Sequence, residues 1–253
     1  MALSFHKTTN YILLNPIIIL LILIILTCIR VFALYISPLE LSVDEAQYWD
    51  WSNSLAFGYF SKPPLISWLI SFSSSIIGND EWGIRIFSPI LHFIIALILW
   101  NCSNTLFGVK SGGLAALIWI TLPASSLGSF IISTDTPLLV FWSISLLALI
   151  KTIKENNSIW LVTLGISLGL GFLTKYAMLY FVIILILFSI INNKSKNIKY
   201  YQMGLVLIIF FIIASPNIYW NYQHDLSTLN HTIHNANITG LNFNITEAGI
   251  FFI

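Results

Sequence analysis

Read from its N-terminus, the chain alternates apolar runs with polar breaks. Seven runs, over residues 16–36, 84–106, 112–132, 137–150, 159–174, 177–191 and 202–220, are candidate membrane spans. A helix needs about 17–25 apolar residues to cross a bilayer, and several of these runs sit at the short limit. Two of the polar breaks are long, residues 37–83 and 221–247. The pattern predicts an all-α, polytopic transmembrane helical bundle of about seven spans, with amphipathic helices in the long outer segments and residues 1–253 in a single domain. Another apolar run opens at Ala248 and continues to Ile253, so the unit reads as one truncated at its C-terminus.

The first run could be taken for a cleaved leader. It is about 21 residues long and no small-x-small site follows, so it reads as a retained helix.

Composition removes the soluble alternative. The chain is 57% hydrophobic and 8% charged, against about 25% charged in soluble domains. Lipid must be its solvent, and membrane lipids its surroundings. A formal net charge of +1 carries no electrostatic footprint for nucleic acid. Cys28 and Cys102 lie in apolar runs without ligand spacing and read as small core hydrophobes.

Basic residues set the orientation. With the N-terminus inside, Lys7, Lys110, Lys151, Lys154, Lys194, Lys196 and Lys199 face the cytoplasm, and Arg30, Lys62, Arg85 and Lys175 lie in or near the outer half. Glu40, Asp44, Glu45, Asp50, Asp80, Glu81, Asp135, Asp225 and Glu247 then fall outside, and Glu155 inside. Acids contribute little to topology, so an acid-rich outer face points to function.

Four motifs could carry chemistry. Residues 43–52 combine acids with aromatic rings. As a helix, this segment puts Asp44 with Tyr48 and Glu45 with Trp49. It is either an interfacial anchor or an acidic pair serving as general base beside rings that stack on a sugar. Lys62 precedes two prolines that stiffen the chain, and it either snorkels to lipid or meets a substrate phosphate. Thr134, Asp135 and Thr136 precede Pro137 and could cap a helix. His224, His231 and His234 follow the last span at a spacing that matches no strong metal motif. In addition, Lys175 joins two spans, where it snorkels outward or helps hold an anion.

DEAQYWDWS from Asp44, GYFSKPPLISWLI from Gly58, STDTPLL from Ser133, GLGFLTKY from Gly169 and NYQHD from Asn221 together resemble the bacterial GT-C glycosyltransferases. The nearest group contains the aminoarabinose lipid A transferases and the dolichyl-phosphate-mannose protein mannosyltransferase relatives. The resemblance implies an inverting transferase in the bacterial cytoplasmic membrane. It takes a sugar from a polyprenyl-phosphate carrier and gives it to a lipid, glycan or protein acceptor at the outer, periplasmic face. Asp44 maps onto the catalytic base, with Glu45 beside it and Asp135 as the second acid. The expected substrate-binding residues are Tyr48, Tyr59, Lys62, Arg85, Lys175, His224 and Asp225, with Lys62 on the carrier phosphate. No metal site is expected among these residues and no cofactor is fixed, a divalent cation being left open. Members of the group have eleven or more spans. The alternatives are an inactive or split remnant of such a transferase, or a transporter, which would place ionisable residues at mid-span.

The orientation is testable by labelling. Single cysteines at Asn53 and Asn197, in a cysteine-free background, should leave only Asn53 open to an impermeant thiol reagent. The reverse pattern would overturn the placement of the acids as well.

Overall fold

The computed structural model describes residues 15–155, 157–191 and 200–235, and every regular element among them is a helix. Lys7, Lys194, Lys196, Asn197, Lys199, Glu247 and the run at 248–253 lie outside the described residues. In chain order the helices are α1 (Pro16–Tyr35), α2 (Val43–Ser52), α3 (Leu65–Ile77), α4 (Glu81–Arg85), α5 (Phe87–Phe107) and α6 (Val109–Thr121). Then come α7 (Pro123–Gly128), α8 (Asp135–Glu155), α9 (Ser158–Thr174), α10 (Met178–Ile191), α11 (Tyr200–Gln223) and α12 (Ser227–Asn235).

The expected all-α membrane bundle is present, with more varied spans than the runs suggested. By length and composition α1, α5, α8 and α11 can cross a membrane. The helices α6, α9 and α10 are apolar but only 13, 17 and 14 residues long. The run at 112–132 is not one helix. Pro123 has no N–H to donate and holds Leu122 extended (ψ 137°), which splits the run into α6 and α7. The carbonyls freed at the break find other donors. Ile120 O accepts from the buried Arg30 guanidinium of α1, and Trp119 O from Ser125 Oγ at 2.5 Å. Arg30 also donates to Ser126 Oγ (2.8 Å) and Ser129 Oγ (3.1 Å), partners that offset the cost of a cation in an apolar helix. The 13-residue apolar helix α3 inside the first outer segment was not foreseen. Cys102 is buried as expected, whereas Cys28 is exposed on the apolar outer surface of α1.

Close packing holds the second half together. A Cβ on Gly165 or Gly169 of α9 would come within 2.8 Å of Ile209 or 2.6 Å of Ile213 on α11. Glycine four residues from glycine lets two apolar helices approach backbone to backbone. Across the other face of α9, the buried hydroxyls of Ser167 and Ser145 on α8 are 2.7 Å apart.

A buried ion pair fixes the start of the 37–83 segment to the bundle. Ser42 and Glu45 form a capping box that starts α2. The Glu45 carboxylate points inward, 1% exposed. Its Oε1 accepts from Arg85 Nε at 2.8 Å and from the Ile132 amide at 2.9 Å. Its Oε2 accepts from Arg85 Nη2 at 2.8 Å and from the Ser42 amide at 2.9 Å. Arg85, at the end of α4, also donates to the carbonyls of Leu39 and Glu40. Four stretches of chain thus meet at one carboxylate and one guanidinium. Around them Tyr48, Ile66, Ile70, Ile84 and Ile132 form an apolar cluster. Burial alone would raise the Glu45 carboxyl. The Arg85 hydrogen bond, the Ser42 and Ile132 amides and the Arg85 charge together bring it below its ordinary 4.5.

Removing one partner of a buried pair leaves a charge without compensation and costs about 3–5 kcal/mol. Arg85→Met should therefore lower the unfolding midpoint in detergent sharply, and Glu45→Gln with Arg85→Met should recover part of the loss. A folded-state value below 4.5 means that the pair's contribution is complete above pH 4.5 and fades as acid protonates Glu45. An acid titration of wild type against the double variant should show that difference shrinking below pH 4.5.

Candidate functional site

The helix α2 presents its two neighbouring acids in different directions. Successive helical residues point about 100° apart, so Glu45 enters the core while Asp44 stays exposed. Tyr48, three residues after Glu45, is buried in the cluster above. The shared face expected of Asp44 and Tyr48 is thus divided between solvent and core. The Tyr48 hydroxyl nevertheless reports its surroundings. Burial first, then the charges of Asp44, Asp135 and Glu45, push it up to about 12. Asp44 and Asp135, 91 residues apart in sequence, therefore act on one phenol.

Lys62 is carried by a loop whose backbone is held on all sides. The Tyr59 hydroxyl donates to the carbonyls of Trp51 and Ser54, accepts from the Ala56 amide at 3.1 Å, and its ring stacks on Trp51 at 4.8 Å. The Trp68 indole donates to Ala56 O, and Asn217 Nδ2 to Phe57 O at 2.6 Å. Gly58 lies against the Trp220 ring, where a Cβ would come within 2.3 Å, so only glycine fits. Thr228 of α12 donates to Tyr59 O. Tyr176 and Asn221 complete the support: the Tyr176 hydroxyl donates to Asn217 Oδ1 and accepts from Asn221 Nδ2, both at 3.0 Å.

The loop delivers Lys62 to a cavity of about 440 Å³. Lys62 and Ser61 line one side, Lys175 and Tyr176 another, and Leu179, Tyr180 and Ile183 of α10 form an apolar wall. His231 and Thr232 of α12 close it, with His231 edge-on to Phe60 at 5.1 Å. Lys175 Nζ also lies 2.7 Å from Asp135 Oδ1 at the start of α8. Two cations, an apolar wall and a carboxylate at the rim suit an amphiphile with an anionic head and a hydrocarbon tail.

The expected site residues therefore divide. Lys62 and Lys175 line one cavity, and Asp135 is bound to Lys175, whereas Asp44 lies on the exposed side of α2 and does not line the cavity. Glu45 and Arg85 hold this arrangement and direct their polar atoms at protein groups, while Tyr59 is a buried hub of its loop. His224 and Asp225 do not line the cavity. His224 stacks on Trp220 at 4.0 Å, and Asp225, at φ 54°, makes the turn from α11 to α12. Of the three histidines after α11, His231 is the one that lines the cavity. Among the described residues no three histidine, cysteine or acidic side chains converge as a metal site. Asn217 and Thr228 were missed, although an asparagine inside an apolar run was a legible signal.

Comparison with known proteins places the chain among relatives. The family described as dolichyl-phosphate-mannose-protein mannosyltransferase matches residues 61–220. A lipid A galacturonosyltransferase of Rhizobium johnstonii is 35% identical over 234 residues, covering 92% of this chain and 49% of the relative. An undecaprenyl phosphate-alpha-4-amino-4-deoxy-L-arabinose arabinosyl transferase of Pseudomonas fluorescens is 25% identical, covering 66% of the chain and 32% of the relative. A putative mannosyltransferase of Bacillus subtilis is 22% identical, over 63% and 23% respectively. The chain thus spans about half the length of the first relative and a third or less of the other two. No solved structure matches significantly. The motif order, the helical membrane fold and a match over most of the chain agree, and the chain belongs to the dolichyl-phosphate-mannose-protein mannosyltransferase family.

Proposed function

We propose that this chain carries the donor site and catalytic carboxylates of an inverting glycosyltransferase. It would move a sugar from a polyprenyl-phosphate carrier to a lipid, glycan or protein acceptor at the outer face of the bacterial cytoplasmic membrane. The observation that carries the proposal is the cavity where Lys62 and Lys175 meet the apolar wall of α10, with Asp135 bound to Lys175 at its rim. The carrier named for the relative in Pseudomonas fluorescens has that chemistry, and the relative in Rhizobium johnstonii is named for lipid A.

In this reading the carrier phosphate sits between Lys62 and Lys175 with its chain along Leu179 and Ile183. The acceptor oxygen attacks the anomeric carbon opposite the phosphate. The carbon–oxygen bond to phosphate breaks, the phosphate keeps the electron pair, and the configuration inverts. The acceptor's proton goes to Asp44. Lysine ammonium groups neutralise the charge that grows on the leaving oxygen, so no acid is needed there. A phosphate acceptor is already anionic and needs no base, leaving Asp44 to orient it.

In the transfer-competent protein, Lys62→Met should raise KM for the carrier about 10- to 100-fold, the loss of one charge-assisted phosphate contact, with membrane insertion retained. Unchanged kinetics would return Lys62 to lipid snorkelling.

Asp44→Asn should lower transfer to a hydroxyl acceptor by about 10²–10⁴-fold. An exposed acid contributes within about ±0.5 kcal/mol to stability, so membrane expression should not change. Near wild-type transfer to a hydroxyl would make α2 an interfacial anchor and remove the base from the scheme.

A further inference from the structure

Lys175 belongs to two places at once. Its ammonium is 2.7 Å from Asp135, and its side chain also lines the cavity that holds Lys62. Both partners of the pair reach solvent, at 37% and 60% exposure, so neither is locked by packing. The neighbouring Tyr176 is held by Asn217 and Asn221, which fixes the backbone of Lys175 while leaving its flexible four-carbon stem free to swing. Lys62 likewise enters the cavity from a loop pinned through Gly58, Phe57 and Tyr59. The site thus contains two cations on fixed backbones, and Lys175 is the one paired to a carboxylate.

We propose that Lys175 is a shared cation, bound to Asp135 while the cavity is empty and drawn to the phosphate when it fills, so that donor binding releases Asp135 to meet the acceptor. This rests on the reading of the cavity as the carrier-phosphate site. The charge accounting sets the direction. A sugar phosphodiester carries one negative charge. When its bond to the anomeric carbon breaks, the polyprenyl phosphate becomes a monoester that can carry two. The pull on Lys175 therefore grows as the reaction proceeds and is greatest with the product carrier. Asp135 loses its cation in the same interval, when the acceptor hydroxyl needs an acceptor of hydrogen bonds. The donor therefore binds first, and an acceptor arriving at an empty cavity finds Asp135 occupied by Lys175.

The test follows from the sign of one effect. If Asp135 and the phosphate compete for Lys175, deleting the carboxylate must tighten anion binding. Farnesyl phosphate is titrated into the protein in nanodiscs, with farnesol and inorganic phosphate as controls for tail and headgroup alone. Asp135→Asn should tighten farnesyl phosphate about two- to fivefold, the scale of an exposed ion pair, and leave farnesol unchanged. Lys175→Met should weaken it. In the Lys175→Met background, Asp135→Asn should then have no effect. Tightening that persists there would mean that Asp135 acts only through its field, and sharing would be wrong. Weaker or unchanged binding in Asp135→Asn alone would also overturn it. If Lys62→Met leaves farnesyl phosphate binding intact, the cavity is not the phosphate site and the reading beneath the proposal fails first. A thermal midpoint within a few degrees of wild type qualifies each variant.

Discussion

A carboxylate and a guanidinium removed from water together organise the end of the bundle that carries α2 and the start of α8. Glu45 and Arg85 are 1% and 4% exposed, and neither could remain charged there without the other. Their partners come from the segment after α1, the start of α2, the end of α4 and the approach to α8. The link to the Ile132 amide matters most. It holds the segment bearing Asp135 against the helix bearing Asp44, so two acids far apart in sequence share a neighbourhood. An apolar contact of equal area would tolerate sliding. A bidentate pair with directional acceptors does not.

What was legible in the residues was what depends on local chemistry. Apolar length announces helices in lipid, and the order of short motifs announced the family. Lys62 before its two prolines reads as a cation on a stiff backbone, and the residues before it are held through Phe57, Gly58 and Tyr59. What was not legible depends on distant partners or on rotation about a helix axis. Asp44 and Glu45 are adjacent and chemically alike; the spacing from Ser42 marks Glu45 as a cap, but nothing local pairs it with Arg85, 40 residues away. Arg85 and Tyr59, expected among the substrate-binding residues, direct their polar atoms at protein groups far off in sequence or along the loop. His224 was favoured over His231 because it lies inside the NYQHD motif, although the turn after α11 carries His231 to the cavity instead.

The same contrast explains the spans. Composition measures apolar content, and α6 with α7 has enough. Continuity depends on whether each carbonyl finds a donor, and Pro123 removes one. Arg30 and the serines of α7 make the break tolerable. An arginine inside an apolar run thus reads as a sign that the backbone nearby departs from helix.

The apolar wall of the cavity has a further consequence. Tyr180 and Ile183 remain 66% and 52% exposed on the apolar helix α10. With lipid against that helix, the cavity would be open to the bilayer from the side. A ligand with a long hydrocarbon tail could reach it by lateral diffusion without its tail ever crossing water. Saturation would then be governed by how many ligand molecules share a given area of membrane. Diluting the bilayer with inert lipid should act like diluting a soluble substrate, while changing the volume of buffer should do nothing.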